Sequence, residues 1–116
     1  MVDQLCRLLS DRPAGLITDL DGTISRIAPA PELAEVEPAA RDALRVLAER
    51  LDLVAIVSGR SAADAQRLLQ LDRVVYMGNH GLERRARGRT EVAPEARPYL
   101  PLIPQTLTAL ASKLPA

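Results

Sequence analysis

Three short apolar runs constrain the fold of this chain more than any other feature. They read AGLITDL at residues 14–20, LVAIV at residues 53–57 and RVVYM at residues 73–77. Each run is too short for a buried helix, so each predicts a strand. Between them, residues 38–51 and 61–71 carry apolar side chains at helical spacing. The order strand, helix, strand, helix, strand with short links predicts an α/β fold, a parallel sheet of the doubly wound kind. The unbroken apolar run of the second strand predicts a strand covered on both faces.

The segments outside these strands and helices differ from them in composition. They predict a helix at residues 2–10, a loop at residues 24–37, a polar hairpin at residues 82–93 and a further helix at about residues 104–114. The hairpin is expected to turn at Arg87 and Gly88. In the helix predicted at residues 61–71, Ser61 is expected to be the N-terminal cap. Near residue 83 the composition changes from apolar strands and amphipathic helices to a polar hairpin. This change predicts a boundary between a first module, residues 1–82, and the beginning of a smaller one, residues 83–116.

Composition excludes several classes of function. The 116 residues include 15 basic and 15 acidic side chains, which gives no overall attraction to nucleic acid or to an anionic membrane. There is no Trp or Phe on which exposed bases could stack. No apolar run approaches the roughly 20 residues of a membrane span. The single cysteine, Cys6, excludes an internal disulfide and agrees with a reducing compartment, so a cytoplasmic protein is expected.

Polar clusters follow all three predicted strands: DLDGT at residues 19–23, SGR at residues 58–60 and GNHG at residues 78–81. Ligands of open parallel sheets bind beyond the carboxyl ends of the strands, where these clusters are expected to meet. On extended backbone, Asp19 and Asp21 point to the same side. A divalent cation such as Mg²⁺ would remove the repulsion between their carboxylates.

Such a pair can carry out phosphoryl transfer. One carboxylate can attack phosphorus, while the other gives a proton to the leaving oxygen and later takes one from water. The free amides at Gly22 can bind phosphate oxygens. The alternative interpretations are structural: a turn or helix cap for DLDG, a turn for Ser58-Gly59, a structural role for His80, and a solvated hairpin edge for the arginines of residues 84–89.

The three clusters carry a resemblance to a known family. DLDGT after an apolar strand resembles the first motif of the haloacid dehalogenase-like phosphohydrolases, and VAIVSGR is similar to their second motif. More narrowly, DLDGTISRIAPAP, IVSGR and YMGNHGLE together resemble the trehalose-6-phosphate phosphatases, from about residue 12 onward. The resemblance implies an incomplete doubly wound sheet of that superfamily, with the start of a small α+β cap domain after residue 82.

The resemblance also implies roles for individual residues. Asp19 would be the nucleophile and a Mg²⁺ ligand, and Asp21 would be the general acid/base and would bind the metal through its backbone carbonyl. Ser58 and the Gly59 amide would hold the phosphoryl group of a sugar phosphate. The remaining residues expected near phosphate or sugar are Leu20, Gly22, Thr23, Arg60, Asn79, His80 and Glu83.

Two features of the family pattern are missing. No Asp follows Asp72, so a later acidic cluster that would complete the Mg²⁺ site is absent, and the sole lysine, Lys113, lies on what resembles a cap helix. The strand at residues 14–20 is expected to form an exposed apolar edge. We therefore expect the N-terminal part of a phosphatase, and self-association or pairing with a complementary C-terminal half through that strand. Another sugar-phosphate phosphatase and a non-catalytic binding module remain alternatives.

Overall fold

One five-stranded sheet organises the residues that the structure describes. The computed structural model describes residues 1–113, and the strands lie in the sheet in the order of the sequence. They are β1 (Gly15–Asp19), β2 (Leu53–Val57), β3 (Val75–Gly78), β4 (Glu83–Ala86) and β5 (Arg89–Val92). β1, β2 and β3 are parallel, whereas β4 pairs antiparallel with both β3 and β5. The α/β class and the parallel arrangement of the first three strands are therefore confirmed.

Four α-helices accompany this sheet within residues 1–113: α1 (Val2–Ser10), α2 (Pro38–Arg50), α3 (Ala62–Leu69) and α4 (Leu102–Ala111). The predicted cap of α3 is confirmed, since Ser61 Oγ accepts a hydrogen bond of 3.1 Å from the Asp64 N–H. α3 ends before the predicted residue 71 because Gln70 takes the left-handed conformation (φ 57°, ψ 39°). None of the described helices is long and apolar enough to cross a membrane.

α4 begins two residues before the predicted start at residue 104. Pro104 therefore lies in the first turn, where its missing N–H has no intrahelical partner to lose. α4 ends at Ala111, whereas the predicted end, residue 114, lies outside the described residues.

The third strand is displaced from its predicted position at residues 73–77. It runs from Val75 to Gly78, because pairing with β2 begins at Val75 and residues 72–74 form a bend. The buried Tyr76 hydroxyl donates to the Leu71 carbonyl at 2.6 Å and accepts from the Leu71 N–H at 3.3 Å. These bonds connect the second residue of β3 to the residue before the bend.

The hydrophobic core lies on one face of the sheet. The fully buried Ile56 of β2 and Tyr76 of β3 pack there with Leu44 of α2 and Leu69 of α3. Both helices therefore cover the same face, as expected when each crossover moves the chain one strand further in the same direction.

The opposite face is largely open, which corrects the prediction that β2 is covered on both faces. Leu53 is 43% exposed and Val57 is 37% exposed, although Ala55 between them is buried. Ile17 of β1, on the same face, is 65% exposed. The prediction was wrong because only the helices of one face are present among residues 1–113.

β1 lies at the edge of the sheet, as predicted. In residues 1–113 it pairs only with β2, in register from Gly15 with Leu53 to Asp19 with Val57. The strand that ends in the DLDGT motif is thus one of the two edge strands of the described sheet, with β5 at the other edge.

The predicted hairpin is confirmed and extends this sheet. Its turn residues Arg87 and Gly88 both have positive φ, 52° and 76°, the conformation of the two-residue turns that suit a twisted hairpin. Because β4 pairs directly with β3, the hairpin continues the sheet of the first module. The boundary between residues 82 and 83 stays a prediction.

Candidate active site

The polar clusters after the first two strands meet at one edge of the sheet. Asp19, the last residue of β1, is in register with Val57, the last residue of β2. Ser58 follows immediately, and neighbouring strands lie about 4.8 Å apart. The sheet therefore brings the DLDGT and SGR motifs together, as the sequence predicts.

A tight turn shapes the DLDGT motif. The buried Leu20 directs its carbonyl toward three following N–H groups, those of Thr23, Ile24 and Ser25, at 3.1 to 3.3 Å. Gly22 has φ +82°, a conformation that favours glycine. Asp19, at the start of this turn, is exposed, and the Thr23 hydroxyl lies 3.5 Å from its Oδ2.

Arg60 connects the two motifs directly. Its Nε lies 2.9 Å from Asp21 Oδ2, and its Nη2 lies 2.9 Å from Asp21 Oδ1, which makes a two-pronged ion pair. The Arg60 side chain is only 11% exposed, whereas that of Asp21 is 42% exposed. Hydrogen bonding to Asp21 is the main reason that the pKa of Arg60 is raised, against the effect of burial.

Arg60 also contacts a second carboxylate. Its Nη1 lies 2.9 Å from Asp64 Oδ2 on α3, and Asp64 Oδ1 accepts from Arg67 at 2.6 Å. Hydrogen bonds from Arg67, and then from Arg60, lower the pKa of Asp64. The result is a row of alternating charges from Asp21 through Arg60 and Asp64 to Arg67. Asp64 was not among the predicted site residues, although its spacing of four from Arg60 suits an ion pair at the start of a helix.

Ser58 is buried at the centre of the SGR turn. Its Oγ accepts the Arg60 N–H at 3.0 Å, which leaves the hydroxyl hydrogen for a further acceptor. Gly59 lies against the imidazole of His80, since a Cβ at Gly59 would lie 2.7 Å from His80 Cε1 and would require that exposed side chain to move.

The GNHG loop is held against the SGR turn. The Asn79 N–H donates to the Arg60 carbonyl at 2.7 Å, and the His80 N–H donates to the Ser58 carbonyl at 3.0 Å. Asn79 and His80 both have positive φ, 49° and 57°, a conformation of low population for residues with a side chain. The described residues of all three motifs are therefore joined in one constellation.

Glu83 has a structural contact in this constellation. Its Oε1 accepts the Ala62 N–H at 2.5 Å, at the first turn of α3. Gly78 lets β3 approach the same point, since a Cβ on Gly78 would lie 2.1 Å from Ala62 N. Gly78 was not among the predicted site residues, although a glycine at a strand end is a known signal for close backbone approach.

Two cavities open beside the constellation. One of about 500 Å³ lies next to Asp21, Arg60 and the loop of residues 27–34. Another of about 690 Å³ lies next to Asn79, His80 and Glu83, and apolar side chains of the hairpin and of the segment leading into α4 line much of it. Each of the three motifs therefore borders open space, although neither Asp19 nor Ser58 lines either cavity.

The donor set for a cation is incomplete within residues 1–113. Carboxylate oxygens suit Mg²⁺, and Asp19 offers an exposed carboxylate. The Asp21 carboxylate, however, is bound by Arg60. No group of three His, Cys, Asp or Glu side chains that could hold a metal occurs in this part of the chain. The described residues therefore do not form a complete Mg²⁺ site by themselves.

Comparison with known proteins gives a consistent result. Residues 17–113 match the family model described as trehalose-phosphatase. The chain is 41% identical over 80 residues to an uncharacterized glycosyl hydrolase of Mycobacterium tuberculosis, a match that covers 69% of this chain and 6% of that protein. It is 35% identical over 107 residues to a trehalose-phosphate phosphatase of Mycobacterium leprae, covering 91% of this chain and 25% of that protein.

A solved structure is also similar. It is described as a trehalose-6-phosphate phosphatase related protein and superposes with a TM-score of 0.70 at 26% identity, covering 88% of this chain and 45% of that chain. This chain thus spans a quarter of the length of the phosphatase from Mycobacterium leprae and a much smaller share of the glycosyl hydrolase.

Proposed function

Because the chain belongs to the trehalose-phosphatase family, we propose that it takes part in the hydrolysis of trehalose 6-phosphate to trehalose and phosphate. The observation that carries this proposal is the meeting of the DLDGT and SGR motifs through the ion pair between Asp21 and Arg60. It supports a site in which the nucleophile, the acid/base residue and the phosphate-binding turn are neighbours.

The proposed reaction has two steps, both at the carboxyl end of β1. An Asp19 carboxylate oxygen attacks phosphorus, the bond from phosphorus to the sugar oxygen breaks, and Asp21, which enters this step as the carboxylic acid, gives its proton to the leaving oxygen. Water then attacks the phosphorus of the aspartyl-phosphate. Its proton passes to Asp21, and phosphate leaves with the Asp19 carboxylate restored.

The SGR and GNHG motifs supply the proposed binding contacts. The Ser58 hydroxyl and the Gly59 amide would donate to oxygens of the phosphoryl group, as would the amides near Gly22. Asn79 and His80 stand beside the larger, mostly apolar cavity, which supports a role on the sugar side. Glu83 would act there too, although its contact with the Ala62 N–H also gives it a structural role.

Magnesium dependence is part of the proposal, on the condition that a further acidic ligand completes the cation site. Asp19 and the backbone carbonyl of Asp21 would hold the cation, which would neutralise charge on the phosphoryl group. Since residues 1–113 contain no group of three metal-binding side chains, a further acidic ligand would have to come from another polypeptide segment. The cytoplasmic location also stays a prediction.

Two alternatives remain open. Another sugar phosphate could be the substrate, because nothing in the geometry of Ser58 or Gly59 distinguishes one sugar from another. The incomplete cation site favours a second alternative, a module that binds a sugar phosphate or a partner without catalysis.

The decisive experiment measures phosphate release from trehalose 6-phosphate in the presence of Mg²⁺. We expect Asp19→Asn to lower turnover by at least about a thousandfold, because an amide oxygen is a poor nucleophile. The matched control is Asp42→Asn on the exposed side of α2, where the Asp42 side chain is 64% exposed and pairs only with Arg45 among the described residues.

Four outcomes separate the possibilities. Turnover that Asp19→Asn abolishes and Asp42→Asn leaves intact supports the proposal. Faster release from sucrose phosphate would favour the related substrate class. Binding of trehalose 6-phosphate without release would favour the non-catalytic module, and release unaffected by Asp19→Asn would contradict the proposal.

A further inference from the structure

The guanidinium group of Arg60 has almost all of its hydrogen-bond donors engaged. Nε–H points to Asp21, one Nη1–H to Asp64, and the two Nη2–H groups to Asp21 and to the Pro31 carbonyl at 3.0 Å. An arginine has five such N–H groups, so one is left. This arrangement leaves no fork of two parallel donors for a phosphoryl group.

The three partners of Arg60 belong to three different segments. Asp21 lies in the turn after β1, 39 residues away in sequence. Pro31 lies in the loop that lines the smaller cavity, 29 residues away, and Asp64 lies in the first turn of α3. Arg60 therefore connects the acid/base residue to both the loop and the helix.

The backbone of Arg60 is fixed as firmly as its side chain. Its N–H donates to the buried Ser58 Oγ, and its carbonyl accepts from Asn79 at 2.7 Å. With the side chain 11% exposed, few other rotamers are open to it. Releasing Asp21 would leave this guanidinium without its two-pronged partner in a poorly hydrated place, which is unfavourable.

We propose that Arg60 is a positioning residue, which holds the Asp21 carboxylate and the loop at Pro31 in place and does not bind the phosphoryl group. The proposal rests on the proposed function, because Asp21 is the acid/base residue only in that reaction. It replaces the expectation that Arg60 contacts substrate.

A spectroscopic experiment on the chain tests the contact without any need for turnover. The Nε–H resonance of Arg60 is followed in ¹H–¹⁵N spectra of the wild-type protein, Asp21→Asn and Arg45→Ala. We expect Asp21→Asn to move or broaden this resonance. Arg45→Ala should leave it in place, because Arg45 pairs with Asp42 on α2 and contacts neither Asp21 nor Asp64 among the described residues. An unchanged Arg60 resonance in Asp21→Asn would overturn the proposal.

A second experiment separates positioning from phosphate binding. The titrant is inorganic phosphate, followed through the amide resonances of Ser58 and Gly59, and the variant is Arg60→Lys, which keeps the charge but loses the fork. We expect phosphate affinity within about twofold of wild type, while kcat for trehalose 6-phosphate falls by about tenfold or more with little change in KM. Arg45→Ala, on the exposed side of α2, should leave kcat and KM near the wild-type values.

The outcomes remain distinguishable from failure of the proposed function. A loss of phosphate affinity of about tenfold or more in Arg60→Lys, equivalent to about 1.4 kcal/mol, would assign Arg60 to the phosphate and overturn the proposal. A wild-type chain that binds no phosphate and releases none contradicts the proposed function instead. In that case the Arg60 resonance in Asp21→Asn still decides whether Arg60 holds Asp21.

Discussion

At the scale of residues, Tyr76 shows how one polar side chain can close a turn inside the core. It is 1% exposed, and its hydroxyl binds both the carbonyl and the N–H of Leu71. We expect Tyr76→Phe to lower the free energy of unfolding by about 1–2 kcal/mol, because the Leu71 backbone groups lose a buried partner. Urea denaturation measures the change. Tyr99→Phe is the control, since Tyr99 is 63% exposed and its variant should be nearly neutral.

The same hydroxyl makes stability depend on alkaline pH. Burial raises the pKa of Tyr76 to about 12 from 10.0. The folded state therefore keeps a proton that the unfolded state has lost, so this part of the stability is present below pH 10 and disappears as pH rises toward 12. In denaturation experiments at pH 9 and 11, the decrease should be smaller in Tyr76→Phe. Equal decreases in both proteins would contradict this assignment.

Single residues also mark what the sequence could reveal of the site. The neighbouring positions of Asp19 and Ser58 at the ends of β1 and β2 were predictable, because a strand end followed by small polar residues has a recognisable local pattern. The contact between Asp21 and Arg60 was not predictable, since the two residues are 39 positions apart and their meeting depends on the packing of whole strands. Pro31 gave no signal at all, because Arg60 binds its backbone carbonyl rather than its side chain.

At the scale of elements, α3 depends on two side chains at its first turn. Ser61 Oγ accepts the Asp64 N–H from within the helix start, and Glu83 Oε1 accepts the Ala62 N–H from β4. We expect Ser61→Ala to lower the free energy of unfolding by about 1 kcal/mol, because an N–H at the helix start loses its acceptor. Ser10→Ala at the exposed end of α1 is the control in thermal unfolding and should have little effect. A Ser61→Ala protein as stable as wild type would show that the cap is dispensable.

Elements were predictable to the extent that their signals were local. The periodicity of α2 and the residues of the hairpin turn marked both elements correctly, because Pro38, Arg87 and Gly88 act on their own backbone. The start of β3 was missed because pairing with β2 begins only at Val75, whereas the apolar Val74 is buried without belonging to the strand. The exposed face of β2 was missed because an apolar run indicates only that a strand is suited to burial on both faces. Within residues 1–113 no helix covers Leu53 and Val57.

At the scale of the whole molecule, the open edge and open face of β1 favour association. We propose that β1 is extended by a further strand, from a second copy or from a complementary C-terminal segment. We expect the purified chain to associate, and Ile17→Lys on the open face to shift it toward monomer in light scattering coupled to size exclusion. Ile27→Lys is the matched control, because Ile27 is 86% exposed but lies outside the sheet. A wild-type chain that stays monomeric and melts cooperatively would contradict the proposal.

The position of Asp19 on an edge strand of the described sheet has a consequence for control of the chemistry. The SGR turn lies beside it on the β2 side, whereas the other side of Asp19 faces no strand of residues 1–113. A polypeptide that pairs with β1 would also border Asp19 on the side away from β2, and would be placed to supply the further acidic ligand. Assembly and turnover would then be a single event, and the supply of the docking polypeptide would set how much of this protein is competent at any moment.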